Sequence, residues 1–300
     1  MNQWLPALAG LFILGSALAQ PVPEVAVGRI ERLAPIASAF VDPRPVDVWL
    51  PADYSPAKRY KVLYMHDGQM LFDASTTWNR KAWRVDVVAA RLLAAGSVRP
   101  FIVVGPWNNG RWRHAEFFPQ GFLPHLQPEP LRQAFVDQAL LGRPQSDAYL
   151  RFLVDELKPA IDARYATDPG REACFVMGSS MGGLISVYAL CEHPQVFGAA
   201  AALSTHWIGS FERNTAIPDA ALAYLRRRLP DPGRVRLYLD RGTADLDALY
   251  DVAQARVDAL LADKGYRPPD FVSRVFDGQG HDEDAWQRRL DQPLAFLLGR

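Results

Sequence analysis

Short apolar runs alternate with helical patterns along most of this chain, and that alternation constrains its fold more than any other feature. The runs are Val46–Leu50, Tyr60–His66, Phe101–Val104, Cys174–Gly178, Phe197–Ser204, Val235–Asp240 and Phe271–Phe276. From Lys61 onward they have the length and the Val, Leu, Ile and Phe content of strands buried on both faces. Between them, Leu150, Leu153, Leu157 and Ile161 recur at helical spacing within Asp147–Tyr165 and leave Arg151, Asp155 and Lys158 outward. Arg80–Ala95, Met181–Glu192, Ala220–Leu229, Leu249–Lys264 and Asp284–Leu298 repeat the pattern. Strand then helix, many times over, predicts an α/β fold with a mostly parallel sheet covered by helices on both faces. Such sheets bind ligands at the carboxyl ends of their strands, so chemistry is expected there.

Neither an internal repeat nor a low-complexity tract divides the chain, so residues 20–300 read as a single domain. Trp107–Gln145 breaks the alternation with Pro and aromatic residues. It reads as an insertion at about 107–146 beside the active site, with a short helix near Leu131–Leu141; a passive surface loop is the alternative. Residues 1–19 stand apart: Leu5–Ala19 is almost wholly apolar, no charged side chain precedes Pro21, and Ala17-Leu18-Ala19 offers small residues to a signal peptidase. That is the pattern of a cleaved export signal, too short for a comfortable membrane span, although its start lacks Lys and Arg. The expected location is periplasmic or secreted, without stable membrane association after cleavage. Cys174 and Cys191 suit an exported chain but read best as free buried thiols. With 33 basic and 33 acidic residues the formal charge is zero, which removes the electrostatic case for a nucleic-acid partner.

Gly178-Ser179-Ser180-Met181-Gly182-Gly183 carries the pattern G-x-S-x-G, between the apolar run ending at Met177 and the helical pattern from Leu184. A sharp strand-to-helix turn lifts a serine hydroxyl clear of the sheet, so Ser180 is the candidate nucleophile and Ser179 its structural neighbour. Gly178 and Gly182 are expected where side chains would collide with the strand and helix. Hydrolases of this design supply their partners in the order Ser, Asp or Glu, His. His281, in the Gly-rich segment after the last strand, is the candidate base, while His193 falls at a helix end. His66 and His206 follow strands and would line the pocket. Asp240 and Asp245 both stand after the Val235–Leu239 run, and spacing alone separates neither as the acid. Oxyanion donors are expected from the backbone N–H of Met181 and from the Asp67-Gly68-Gln69 loop.

Val62–Asp73 (VLYMHDGQMLFD), GSSMGG, Leu239–Asp245 (LDRGTAD) and Gly278–Trp286 (GQGHDEDAW) together resemble the Putative esterase family of α/β-hydrolases. That family includes esterase D, enterochelin esterases, feruloyl and acetylxylan esterases of carbohydrate esterase family 1, and the mycolyltransferase antigens. The resemblance spans roughly Val46–Leu298 and implies the α/β-hydrolase fold. It also implies Asp245 as the acid, Gln69 and Met181 as the oxyanion N–H donors, and a substrate-facing or structural role for Arg113 and Glu116. The family often has Asn where Met70 stands.

The expected function is a serine carboxylic-ester hydrolase working through an acyl-enzyme, with Ser180, His281 and Asp245, and with no metal or organic cofactor. Trp78, Trp107, Trp112 and Trp207 are candidate binders of an aromatic acyl group, a sugar or a catecholate, although each taken singly fits the core better. Acylated saccharides rank first as substrate and siderophore esters second. An acyltransferase of the mycolyltransferase type and a non-catalytic binding module are the rival classes.

Overall fold

The structure is a computed structural model that describes residues 21–299; the expected export signal lies outside the described residues. Eight strands form one sheet: β1 (Arg29–Arg32), β2 (Val46–Leu50), β3 (Lys61–Met65), β4 (Phe101–Pro106), β5 (Cys174–Ser179), β6 (Ala199–Leu203), β7 (Arg236–Gly242) and β8 (Phe271–Phe276). Their order is β1-β2-β4-β3-β5-β6-β7-β8. β1 and β2 run antiparallel at one edge, and β3 to β8 are parallel. The helices are α1 (Val85–Ala94), α2 (Arg113–Phe117), α3 (Glu129–Ala139), α4 (Ser146–Arg151), α5 (Lys158–Arg164), α6 (Met181–Glu192), α7 (Ala216–Arg228), α8 (Asp251–Asp263), α9 (Glu283–Arg289) and α10 (Asp291–Leu298).

Successive side chains of a strand point to opposite faces, and here both faces are buried. Val62, Tyr64, Val176, Ala200 and Leu237 join a core under α5, α6, α7 and α8. Their neighbours Leu63, Met65, Phe175, Met177, Ala201 and Tyr238 join the opposite core under α1, α9 and α10. This is why the parallel strands read as unbroken apolar runs rather than alternating ones. β8 departs from that expectation. It is the sheet edge, and Arg274 and Val275 are exposed. β1, with one apolar residue in Arg-Ile-Glu-Arg, carries no periodic signal and was not expected.

Two long helical patterns are interrupted by proline. Asp147–Tyr165 becomes α4 and α5 joined by a π-helical segment, Phe152–Leu157, because Pro159 has no N–H to continue the ladder. Asp284–Leu298 becomes α9 and α10, with Pro293 in the first turn of the second. The aromatic insertion holds α2 and α3, and its Phe117, Phe118 and Phe122 are buried in the main core. Cys174 and Cys191 are both free and buried, and burial pushes the Cys174 thiol up to about 12.

Candidate active site

Between β5 and α6 the chain turns within one residue. Ser180 sits at φ 56° and ψ −121°, a conformation that costs a non-glycine residue roughly 1–3 kcal/mol. Backbone bonds hold it there. Ser180 N–H donates to Leu203 O at 2.9 Å, and Ser180 O accepts from Gly183 N–H at 3.0 Å and His206 N–H at 3.2 Å. A Cβ on Gly178 would stand 2.8 Å from the Gly182 backbone, so only glycine fits before the turn. At Gly182 the nearest atoms are 3.4 Å away, ordinary contact, so the expected collision there does not arise. Met181 opens α6, and the first N–H of a helix has no partner within it.

His281 follows β8, and the structure places Asp247 against it rather than Asp245 or Asp240. The Asp247 carboxylate is wholly buried, with Oδ1 2.5 Å from His281 Nδ1. Its Oδ2 accepts from Ser204 Oγ at 2.6 Å and from Gly242 N–H at 2.5 Å. Asp245 opens the short 3-10 turn Asp245–Leu249 at φ 53° and is exposed. Asp247 stands two residues further round that turn, on its inner side. Asp240 lies inside β7, because the strand runs on to Gly242, and pairs with Arg289 at 3.1 Å. Burial pushes the Asp240 carboxyl up to about 6, against the pull of Arg289. The sequence string holds both Asp245 and Asp247, but only the course of the turn separates them.

Ser180 and His281 line one cleft of about 500 Å³ at the carboxyl ends of the strands, with Met181, His206, Phe211 and Leu246. Asp67, Met70, Trp78, Asn79, Trp83, Asn108, Arg113, His114, Ser179, Glu283 and Trp286 complete it. The hydroxyl of Tyr250 meets the Ser180 side chain and lies 2.6 Å from His206 Nδ1. Burial, helped by the nearby His281, His114 and Arg113, pushes the His206 imidazole down to about 3. Burial also brings His114 down to about 4. Asp67 and Arg113 form a two-pronged ion pair, with Nε–Oδ1 2.7 Å and Nη2–Oδ2 2.8 Å. Burial pushes the Asp67 carboxyl up, but Arg113 and the Asn108 amide outweigh it and hold the group below its ordinary value.

Of the expected pocket residues, Arg113 and His206 line the cleft and four others do not. His66 is enclosed, with Nδ1 2.8 Å from Tyr149 Oη and its ring against Phe117. Trp107 donates its indole N–H to Asp47 at 2.8 Å beneath the Arg32 guanidinium. Glu116 is buried in a double bond to Arg44, both distances 2.7 Å. Trp207 is core and donates to Gln254 at 2.9 Å. His66, Trp107 and Trp207 were singled out by residue type near a strand end, and Glu116 by the family resemblance; in each case a buried hydrogen-bond partner holds the side chain in the scaffold instead. Gln69 accepts from Asn108 N–H at 3.1 Å through its carboxamide, and Gly68–Met70 forms one 3-10 turn whose leading N–H groups lack a partner within it. Sequence reasoning missed Asn79 and Phe211, which lie in no motif, and Glu283, which lies within the Gly278–Trp286 string but was not singled out there. Among the described residues no three His, Cys, Asp or Glu side chains are grouped to hold a metal ion.

Known proteins share this arrangement of strands. The ferulic acid esterase of Anaeromyces mucronatus, solved with ferulic acid, superposes with a TM-score of 0.61 at 17% identity over 92% of this chain and 93% of its own. The enterochelin esterase of Shigella flexneri gives 0.65 at 18% identity over 93% of this chain and 59% of its own. In sequence, an endo-1,4-β-xylanase/feruloyl esterase of Xylanibacter ruminicola is 24% identical over 257 residues, 84% of this chain. The ferri-bacillibactin esterase BesA of Bacillus subtilis is 24% identical over 163 residues. The chain spans 29% of the length of the first and 52% of the second. The model of one family, described as Putative esterase, matches residues 37–297. With that match over most of its length and a mostly parallel sheet of the α/β-hydrolase type, the chain belongs to the Putative esterase family.

Proposed function

We propose that the protein hydrolyses carboxylic esters through an acyl-enzyme on Ser180, with His281 as base and Asp247 in the role that the family resemblance gave to Asp245. The observation that carries this reading is a serine held on a strained turn in the same cleft as a histidine bonded to a fully buried carboxylate. With its Nδ1–H donated to Asp247, the imidazole keeps the Nε2 lone pair for a proton. Ser180 Oγ attacks the ester carbonyl while Nε2 takes the hydroxyl proton. The C=O electron pair moves onto oxygen, where the N–H groups of Met181 and Gln69 would receive it. Collapse of that intermediate breaks the C–O bond, and Nε2 returns the proton to the departing alcohol. Water then repeats the sequence and frees the acid and Ser180.

The complex of one structural neighbour with ferulic acid, and the xylanase joined to a feruloyl esterase in one relative, support an acylated saccharide as substrate. The apolar run before Ala19 supports export to the periplasm or beyond. The test is hydrolysis of p-nitrophenyl acetate and methyl ferulate beside Ser180→Ala. We expect turnover by the parent chain, and a loss of at least a thousandfold in the variant. A variant that keeps its activity sinks the mechanism.

A further inference from the structure

The departing alcohol must receive its proton from His281, so the alcohol half of a bound ester lies on the His281 side of the cleft. That side has a distinct chemistry. Trp286 packs edge-on against the His281 ring with centroids 5.1 Å apart, and Trp83 stacks on Trp286 at 5.3 Å. Glu283 stands two residues beyond His281, only 7% exposed, and its Oε2 accepts from Asn79 Nδ2 at 2.8 Å. Asn79 is itself fixed, because its Oδ1 accepts from Lys81 N–H at 3.1 Å and the Lys81 ammonium is held by Asp282 at 2.5 Å. Beside this pair, Trp78 lines the cleft with 85% of its surface exposed, an unusual state for the largest apolar side chain.

Charge decides what such a wall accepts. Arg113 is the one Lys or Arg lining the cleft among the described residues, and Asp67 occupies its fork. Burial lifts the Glu283 carboxyl, and no cation within salt-bridge distance balances it among the described residues. A ligand carrying several negative charges, such as a ferric catecholate, would enter with no unpaired cation to meet it. A neutral ring rich in hydroxyls would donate to Glu283, exchange hydrogen bonds with Asn79 and lay its apolar face on Trp78.

We propose that Trp78, Asn79 and Glu283 form the alcohol subsite, and that it takes a neutral polyhydroxylated ring, a saccharide. The inference rests on the esterase reading only for which half of the ester lies there. Binding itself is measured without turnover.

Xylotriose, maltotriose and N-acetylated chitotriose are titrated calorimetrically into the Ser180→Ala chain, with tryptophan emission recorded in parallel. At least one sugar is expected to bind and to shift the emission. Glu283→Gln, which keeps the side-chain shape, is expected to weaken that binding at least tenfold, and Trp78→Ala to remove the emission change. Binding by none of the sugars overturns the proposal. So does binding that Glu283→Gln leaves intact, or tighter binding of a ferric tris-catecholate. In the active chain, Glu283→Gln is expected to lower the ratio of kcat/KM for acetylated sugar to that for p-nitrophenyl acetate at least tenfold, and an unchanged ratio counts against the subsite. Hydrolysis that persists in Ser180→Ala sinks the mechanism instead, and leaves the sugar titration standing.

Discussion

The clearest residue-level distinction is between two carboxylates two positions apart. Asp247 is buried on His281 Nδ1, whereas Asp245 faces solvent. Asp247→Asn would present an amide that favours the wrong imidazole tautomer, and kcat is expected to fall by about 10³–10⁴. Asp245→Asn is expected to stay within about threefold. Steady-state kinetics on p-nitrophenyl acetate compares the two, and the reverse order would return the acid to Asp245. Ser180 itself holds backbone strain that glycine does not feel. Ser180→Gly should therefore abolish hydrolysis yet stabilise the fold by about 1 kcal/mol, seen as a higher Tm than Ser180→Ala. A Tm no higher than that of the alanine variant would mean the turn is relaxed.

Elements meet at the site through close backbone approaches. The loop after β7 carries Asp247, and the loop after β8 carries His281. They are joined where Thr243 and Ala244 N–H both donate to Gln279 O at 3.0 Å. A Cβ on Gly242 would lie 2.0 Å from that same carbonyl oxygen. Gly242→Ala must push the two loops apart and lengthen the 2.5 Å contact between His281 and Asp247. Activity is expected to drop at least a hundredfold with the far-ultraviolet circular dichroism preserved. Near-normal kcat in a folded Gly242→Ala would show that the loops adjust independently. α6 plays the opposite part. Its residues Met181–Cys191 are all buried, so the helix behind the nucleophile is fixed by core packing on every side.

Across the whole molecule, two buried imidazoles, His66 and His206, and the half-buried His114 tie stability to pH. Burial lowers His66 and His114 from the usual 6.5 to about 4, and His206 to about 3. Below pH 6.5 the unfolded chain takes up protons at these positions and the folded chain does not, so stability is full above that pH and falls as pH drops toward 4. By themselves these three protons give a slope of up to roughly 4 kcal/mol per pH unit, and below pH 6 the Asp240 carboxyl, raised to about 6, offsets about one proton of it. Urea unfolding at pH 7, 6 and 5 should show the decline. His206→Asn should flatten it by about one proton, and a profile level down to pH 5 would rule the three histidines out as its source.

The sequence by itself determined the alternating α/β design, the helix and strand on either side of Ser180, and His281, because these are written in local periodicity and glycine placement. Seven of the strands follow from apolar runs, and six of them, β2 to β7, are buried on both faces while β8 forms an exposed edge. Tertiary structure alone decided the rest. Which aspartate meets His281 depends on a single 3-10 turn, in which residues two apart face opposite ways. His66, Glu116, Trp107 and Trp207 were expected at the pocket, yet partners 47 to 83 positions away draw them into the scaffold, a pairing that no local pattern encodes. Asn79 and Glu283 are brought together across 204 residues of chain, so the wall they form exists only once the sheet has closed around it.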